Sequence, residues 1–448
     1  MAKKDNNITR RDFIKTTGAG LAGAAILSGP LGPLARKTFA AVPPPELPIE
    51  KNPVLRVLRW SPFVKSDGEW WEKNSRKWEK VTGGKVINEY LSWEDVRPKA
   101  AMEASVGAGH DLVSGWHDDP HIYPDKLVDV TDVCEYLGKK YGGWEDVCFK
   151  YGINPATGRW IGVPMGGPGQ EIVYRKSWVN EAGYAEFPTD VEGFIKCCKK
   201  LKQMGHPVGF AMGHAVGDGN NWVHTWLWSF GAKTVNKDGS VAINSRETRM
   251  ALDAIKDVYD NAMIAGVASW LDPHNNKAYL AQQVSVTNNG ISIYYAAKAK
   301  FPEIAEDTYH ATLPIGPIGR PTELHLFNQA FIFKHTSFPN AAKHYLTFML
   351  EEPQCAPWTN AMRGYVTPGL KAYRNLPVWT EDPKHTPYRE CIRNMLWNGY
   401  EGPIGPASAA VMAEYVVVDL FANYCARGIS LDRAIDGAEK AIARYYKQ

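Results

Sequence analysis

The chain of 448 residues lacks most of the features that would assign it quickly. It has no low-complexity tract, and 44% hydrophobic with 22% charged residues excludes wholesale disorder. From Val42 onward no uninterrupted apolar run reaches the length of a bilayer-spanning helix. A dominant charge is also missing. Residues 1–41 hold Lys3, Lys4, Arg10, Arg11, Lys15, Arg36 and Lys37 against Asp5 and Asp12, and without them 44 basic and 46 acidic residues remain. That balance carries no nucleic-acid footprint. No His-Glu-x-x-His, Walker-type, Gly-x-Ser-x-Gly or Ser-x-x-Lys motif is present. Gly166-Gly167-Pro168-Gly169 puts proline where a dinucleotide fingerprint needs amide donors. The seven cysteines are odd in number, and their spacings fit neither a disulfide framework nor a zinc site. Cys197 and Cys198 fall with Phe194, Leu201 and Met204 on one helical stripe and read as core. In His117-Asp118-Asp119-Pro120-His121, Pro120 prevents the helix that would align metal ligands. No metal, cofactor or catalytic residue is assigned. Paired carboxylates for glycoside hydrolysis stay open, because their spacing is spatial.

The N-terminus is an address. Thr9-Arg10-Arg11-Asp12-Phe13-Ile14-Lys15 resembles the twin-arginine export motif. A Gly/Ala-rich stretch from Thr16 to Leu34 follows, broken by Pro30 and Pro33, and is too short to span a membrane when mature. Thr38, Ala40 and Ala41 allow cleavage after Ala40 or Ala41. The expectation is a periplasmic protein, folded before export by the twin-arginine machinery and freed of residues 1–41. A proline-rich leader, 42–53 with Pro43-Pro44-Pro45, is expected outside the fold.

Strand and helix patterns then alternate. Val54 to Trp60 and Val86 to Leu91 read as strands, 93–106 as a helix, and Asp111-Leu112-Val113 as a third strand. Thr189 with Glu192, and Asn244 with Glu247, carry capping-box spacing ahead of helices, the second over 246–262. Ser430 opens a last helix towards Tyr446. This alternation predicts an α/β fold with mainly parallel sheets.

The order of segments resembles extracellular solute-binding protein family 1, the periplasmic carbohydrate receptors of ABC importers. The resemblance rests on Ala104–Trp116, Trp160–Pro164 with Ile172–Lys176, Pro188–Phe194, Val286–Gly290, Phe338–Leu350 and Arg363–Pro368. It implies a two-lobed periplasmic-binding-protein fold, type II-like, with the ligand cleft between lobes joined by crossover hinges. Lobe 1 would comprise 54–165 and 328–376, and lobe 2 would comprise 166–327 and the helical 377–448. Crossovers are expected near Pro164–Gln170, Phe327–Phe331 and Leu376. The partners implied are a small solute and the permease subunits of an inner-membrane ABC transporter.

Ligands of open α/β sheets sit beyond the carboxyl ends of strands. An aromatic face stacks on a sugar's C–H face while polar groups take its hydroxyls. The candidates on such loops are Trp60, Ser61 and Phe63; Trp116, His117 and Asp118; Asn221, Trp222 and Trp226; Asn288 and Asn289; and Arg363 and Tyr365. Trp71, Trp78, Trp144 and Trp228 are left to packing. The family pattern often places a stacking aromatic where this chain has Ser292, also a candidate, with Tyr294 and Tyr295 following on a continuing strand. That departure points to a small ligand rather than a long maltodextrin. Two other readings are kept: an anionic solute such as a glycerol phosphodiester, with Arg363 as its cation, and a periplasmic cofactor-containing enzyme.

Overall fold

The computed structural model describes residues 42–446. The twin-arginine motif and the cleavage region lie outside the described residues. Among the described residues no helix is long and apolar enough to cross a membrane.

Two sheets organise the chain. The first has five strands in the order β2–β1–β3–β10–β6, with β1 Val54–Trp60, β2 Lys85–Leu91, β3 Leu112–Gly115, β6 Val163–Gly166 and β10 Asn328–Ile332. β1 pairs in parallel with β2 and β3, while β10 runs antiparallel to β3 and β6. A hairpin of β4 Ile153–Asn154 and β5 Arg159–Trp160 lies beside it. The second sheet is β8–β7–β9, from Val286–Asn289, Glu171–Arg175 and Thr308–Ala311, and both its pairings are antiparallel. The expectation of mainly parallel sheets is corrected here. Parallel pairing holds where a helix returns the chain within one lobe. Strands entering from the other lobe arrive with the opposite sense.

The elements of the first sheet follow from local chemistry. The helix Trp93–Val106 starts where Ser92 accepts the Asp95 amide at 3.2 Å and ends at Gly107 in the left-handed region. Trp71 and Trp78 share the inner face of the helix Lys65–Thr82 and meet Tyr345 edge-on. The other two capping assignments shift by one residue. Asp190 rather than Thr189 accepts the Gly193 amide, and Ser245 rather than Asn244 accepts that of Thr248. Adjacent capping-competent residues compete, and the backbone angle decides between them. All seven cysteines are free and buried, Cys197 and Cys198 on the predicted stripe.

The chain passes between sheets after β6, returns between β9 and β10, and the loop at Thr367 joins them. Gly167 exchanges backbone hydrogen bonds with Thr367 at 3.0 and 2.9 Å. A Cβ on Gly167 would lie 1.9 Å from the Leu326 carbonyl oxygen, so only glycine lets these segments touch. The proline-rich leader does not lie outside the fold. Glu50 accepts the Asn340 and Ala341 amides at 2.9 Å each, capping the helix Pro339–Leu350. A carboxylate at a helix N-terminus meets unpaired N–H groups and the positive end of the dipole, which holds the leader against lobe 1.

Candidate functional site

Between the lobes lies a narrow cavity of about 30 Å³. That is far below small-molecule sites, which run from about 300 to 1,000 Å³, so the two walls stand close together here. Phe63 and Trp93 face it from lobe 1, while Asp218, Asp272, Asn276, Asn289, Gly290 and Ser292 face it from lobe 2. Pro168, Gln170, Leu326 and Tyr365 complete the wall from the crossovers and the 363–368 loop. No lysine or arginine lines the cavity among the described residues.

The lobe 1 wall is aromatic. Trp93, the first residue of its helix, is held edge-on by Trp60 at 4.8 Å and stacked by Trp116 at 6.1 Å. Its indole Nε1 is buried without a hydrogen-bond partner. Phe63, on the loop after β1, is 46% exposed and is the one large apolar side chain of this wall open to solvent.

The lobe 2 wall is built on two buried carboxylates. Asp272 accepts the amides of Val216, Gly217 and Asp218 at 2.8–3.3 Å, capping the helix Asp218–Ser229 from a distant segment. Asp218 accepts the Gln170 side-chain amide at 2.5 Å and that of Asn275 at 2.6 Å. Burial raises both acids: Asp272 to about 6, and Asp218 well above the carboxylate range, with the Asp272 charge adding to the effect. Gln170 also accepts Asn221 at 2.6 Å, so one crossover side chain joins two residues of lobe 2. Asn276 donates to Ser292 at 3.2 Å and accepts from Asn289.

The sequence-predicted residues separate into three groups. Phe63, Asn289, Ser292 and Tyr365 line the cavity. Trp60, Trp116, Asn221 and Asn288 stand behind it: the two tryptophans brace Trp93, Asn221 holds Gln170, and the Asn288 carbonyl accepts Asn275 at 2.9 Å. The rest lie elsewhere. Trp222 is buried against Phe210, stacked at 4.1 Å, and Trp226 donates to the Ala251 carbonyl at 2.9 Å, so both belong to the lobe 2 core. The helix they sit on is buried on all sides, which the loop-end reading did not foresee. Asp118 is consumed by Arg97 and by Asn398 at 2.8 Å, and His117 packs on Tyr151 with its basicity lowered to about 4 by burial. Ser61 and Arg363 are exposed and outside the wall, and Ser292 opens the helix Ser292–Lys300, so the expected continuing strand ends at Asn289.

Trp93, Gln170, Asp218, Asp272 and Asn276 were missed. Trp93 had a signal, an aromatic at a helix start two residues beyond a strand end. Gln170 and Asp272 act through partners 48 to 155 positions away, which no local pattern reveals.

Residues 75–387 match the family model described as bacterial extracellular solute-binding protein. A binding protein of Brucella abortus (strain 2308) is 20% identical over 300 residues, 65% of this chain and 71% of that one. Among solved structures, the maltose-bound MalE3 of T. maritima superposes with a TM-score of 0.75 at 18% identity, over 87% of this chain and 99% of that one. The GacH receptor of Streptomyces glaucescens, described unliganded and with acarbose, gives 0.74 at 15% identity over 89% and 100%. A sugar transporter from Arthrobacter chlorophenolicus A6 with bound laminaribiose gives 0.72 at 16% identity over 87% and 99%. These likenesses establish the two-lobed binding-protein fold.

Proposed function

The chain belongs to the bacterial extracellular solute-binding proteins, and from that premise we propose that it captures a small neutral sugar or polyol between its lobes and delivers it to an ABC permease. The observation that carries this is the pairing of walls: Phe63 and Trp93 on one side, and Asp218, Asn276, Asn289 and Ser292 on the other. A sugar ring has the matching asymmetry, an apolar C–H face and a rim of hydroxyls. The anionic alternative is disfavoured because no lysine or arginine among the described residues lines the wall, and the exposed Arg363 lies outside it. Several of the similar structures were described with bound sugars, maltose and laminaribiose among them, which supports the same reading. The Arg10-Arg11 motif supports export through the twin-arginine route to the periplasm. Closure follows from contacts available only when both walls reach the ligand.

A thermal-shift panel of sugars, polyols and phosphodiesters tests the assignment. At a hundredfold excess over Kd the true ligand adds about 2.7 kcal/mol of stability. Stabilisation by phosphodiesters alone would overturn it. For export, Arg10→Lys with Arg11→Lys should leave the precursor in the cytoplasm. Undiminished export of that variant by the same route would refute the assignment of the motif.

A further inference from the structure

A second recess, of about 480 Å³, shares no residue with the cleft wall. Its volume falls within the range of small-molecule sites, about 300 to 1,000 Å³. Three distant segments build it. The helix Asp146–Gly152 of lobe 1 supplies Asp146 and Lys150, the segment returning to β10 supplies Arg320, and the C-terminal part supplies Arg393 and Trp397. Backbone pairing joins the last two segments, with the Leu396 amide donating to the Glu323 carbonyl at 2.7 Å.

Two of the cations here are held by aromatic rings rather than by carboxylates. The Lys150 ammonium lies 4.4 Å from the centre of the Trp397 ring, and among the described residues it forms no ion pair. Arg320 donates to the Tyr400 hydroxyl at 2.8 Å and likewise has no carboxylate partner among the described residues. Trp397 and Tyr400 pack edge to face at 5.0 Å, and the Trp397 indole donates to the Gly402 carbonyl at 2.9 Å. One fixed aromatic pair therefore positions both charges. Arg393 adds a third, shared with Glu390 at 3.3 Å, and Asp146 is the one carboxylate of the lining. The groove on lobe 2 around Lys196 and Lys199 differs, because there the two lysines are paired with Glu192 and Asp257.

Cations fixed around a concave surface without counter-charge focus a positive potential into it. A neutral sugar gains nothing from that field. A phosphate group fits it, since its oxygens accept the parallel N–H donors of a guanidinium and its charge of about −1.5 to −2 offsets more than one cation. We propose that this recess binds a small multivalent oxyanion, a phosphate or phosphate ester, through Lys150, Arg320 and Arg393. The bound anion touches lobe 1 through Lys150 and the returning crossover through Arg320, and so ties the two together.

Calorimetric titration of the mature protein with inorganic phosphate at neutral pH and low ionic strength tests the site, with sodium chloride of matched ionic strength as the control. One saturable site is expected. Lys150→Gln and Arg320→Gln should each raise Kd by about two- to fivefold, the range of exposed charge pairs. Asp146→Asn should lower Kd by a similar factor. These three side chains are exposed, so the variants keep the fold. Added salt should weaken binding by screening. Arg363→Gln, exposed and outside the recess, should leave Kd unchanged. Absence of saturable binding, heats equal to the chloride control, recess variants that titrate like the wild type, or binding lost with Arg363→Gln instead would each overturn the proposal. In the thermal-shift panel, a phosphodiester effect that disappears with Lys150→Gln and Arg320→Gln belongs to this recess and not to the cleft. No sugar enters the titration, so its failure is distinct from failure of the sugar reading.

Discussion

Two tryptophan clusters sit about equally deep in this protein and do different work. Trp60, Trp93 and Trp116 cluster at the strand ends of the first sheet, where Trp93 lines the cavity. Trp222 and Trp226 cluster with Phe194 and Phe210 on a helix buried all round. Accessible area does not separate them, for all five are nearly inaccessible. What separates them is what stands on the far side of the ring: an empty cavity in one case, packed side chains in the other. Aromatic abundance alone is therefore a poor guide to a sugar site, and neighbours are a good one.

The comparison breaks most visibly at Trp222. Trp222→Ala should lower folding stability by about 3–5 kcal/mol while leaving the ligand Kd of the folded fraction unchanged. Denaturant unfolding and calorimetric titration together check both halves. Acidification probes two buried histidines, His224 on the Trp222 helix and His117 packed on Tyr151, both pulled to about 4 by burial. The unfolded chain takes up these protons near 6.5 and the native protein does not. Each histidine should therefore cost stability between about pH 6.5 and 4, on the order of 1 kcal/mol per pH unit. The effect is read as the difference between wild type and His224→Gln, because the raised Asp218 and Asp272 act in the opposite sense. A wild-type-minus-variant difference that stays flat across that window would show that the ring reaches water. On the cavity side, Asp218→Asn should weaken binding by about 1–3 kcal/mol, roughly 5- to 150-fold in Kd. The smallest effect belongs to Phe63→Ala, about 0.5–1.5 kcal/mol in binding with melting temperature unchanged, since the ring is half exposed and packs little.

Local chemistry was legible and distant pairing was not. The bounds of β1, of the helix after Ser92 and of the Cys197–Cys198 stripe follow from alternation, capping and 3.6-residue spacing, each a property of adjacent residues. The resemblance carried the two-lobed fold, because six short segments in order constrain what none constrains singly. Half-right readings mark the boundary. Asn289 and Ser292 lie at a turn and do line the cavity, whereas Asp118, at an equally well-placed strand end, is taken by Arg97 from a helix 21 residues earlier. A loop polar residue is free for a ligand only if no distant arginine claims it, and one sequence does not display that competition. Asp272 is the converse case, unremarkable in its own segment and decisive because three amides of another segment converge on it.

Calorimetric titration of the mature protein with mono- and disaccharides, in parallel for wild type, Asp218→Asn and Trp222→Ala, tests the central claim most directly. The account predicts saturable binding of a small neutral sugar, weakened about 5- to 150-fold by Asp218→Asn and unmoved by Trp222→Ala in the folded fraction. A sugar that binds all three proteins alike, or one whose Kd moves only with Trp222, would contradict it.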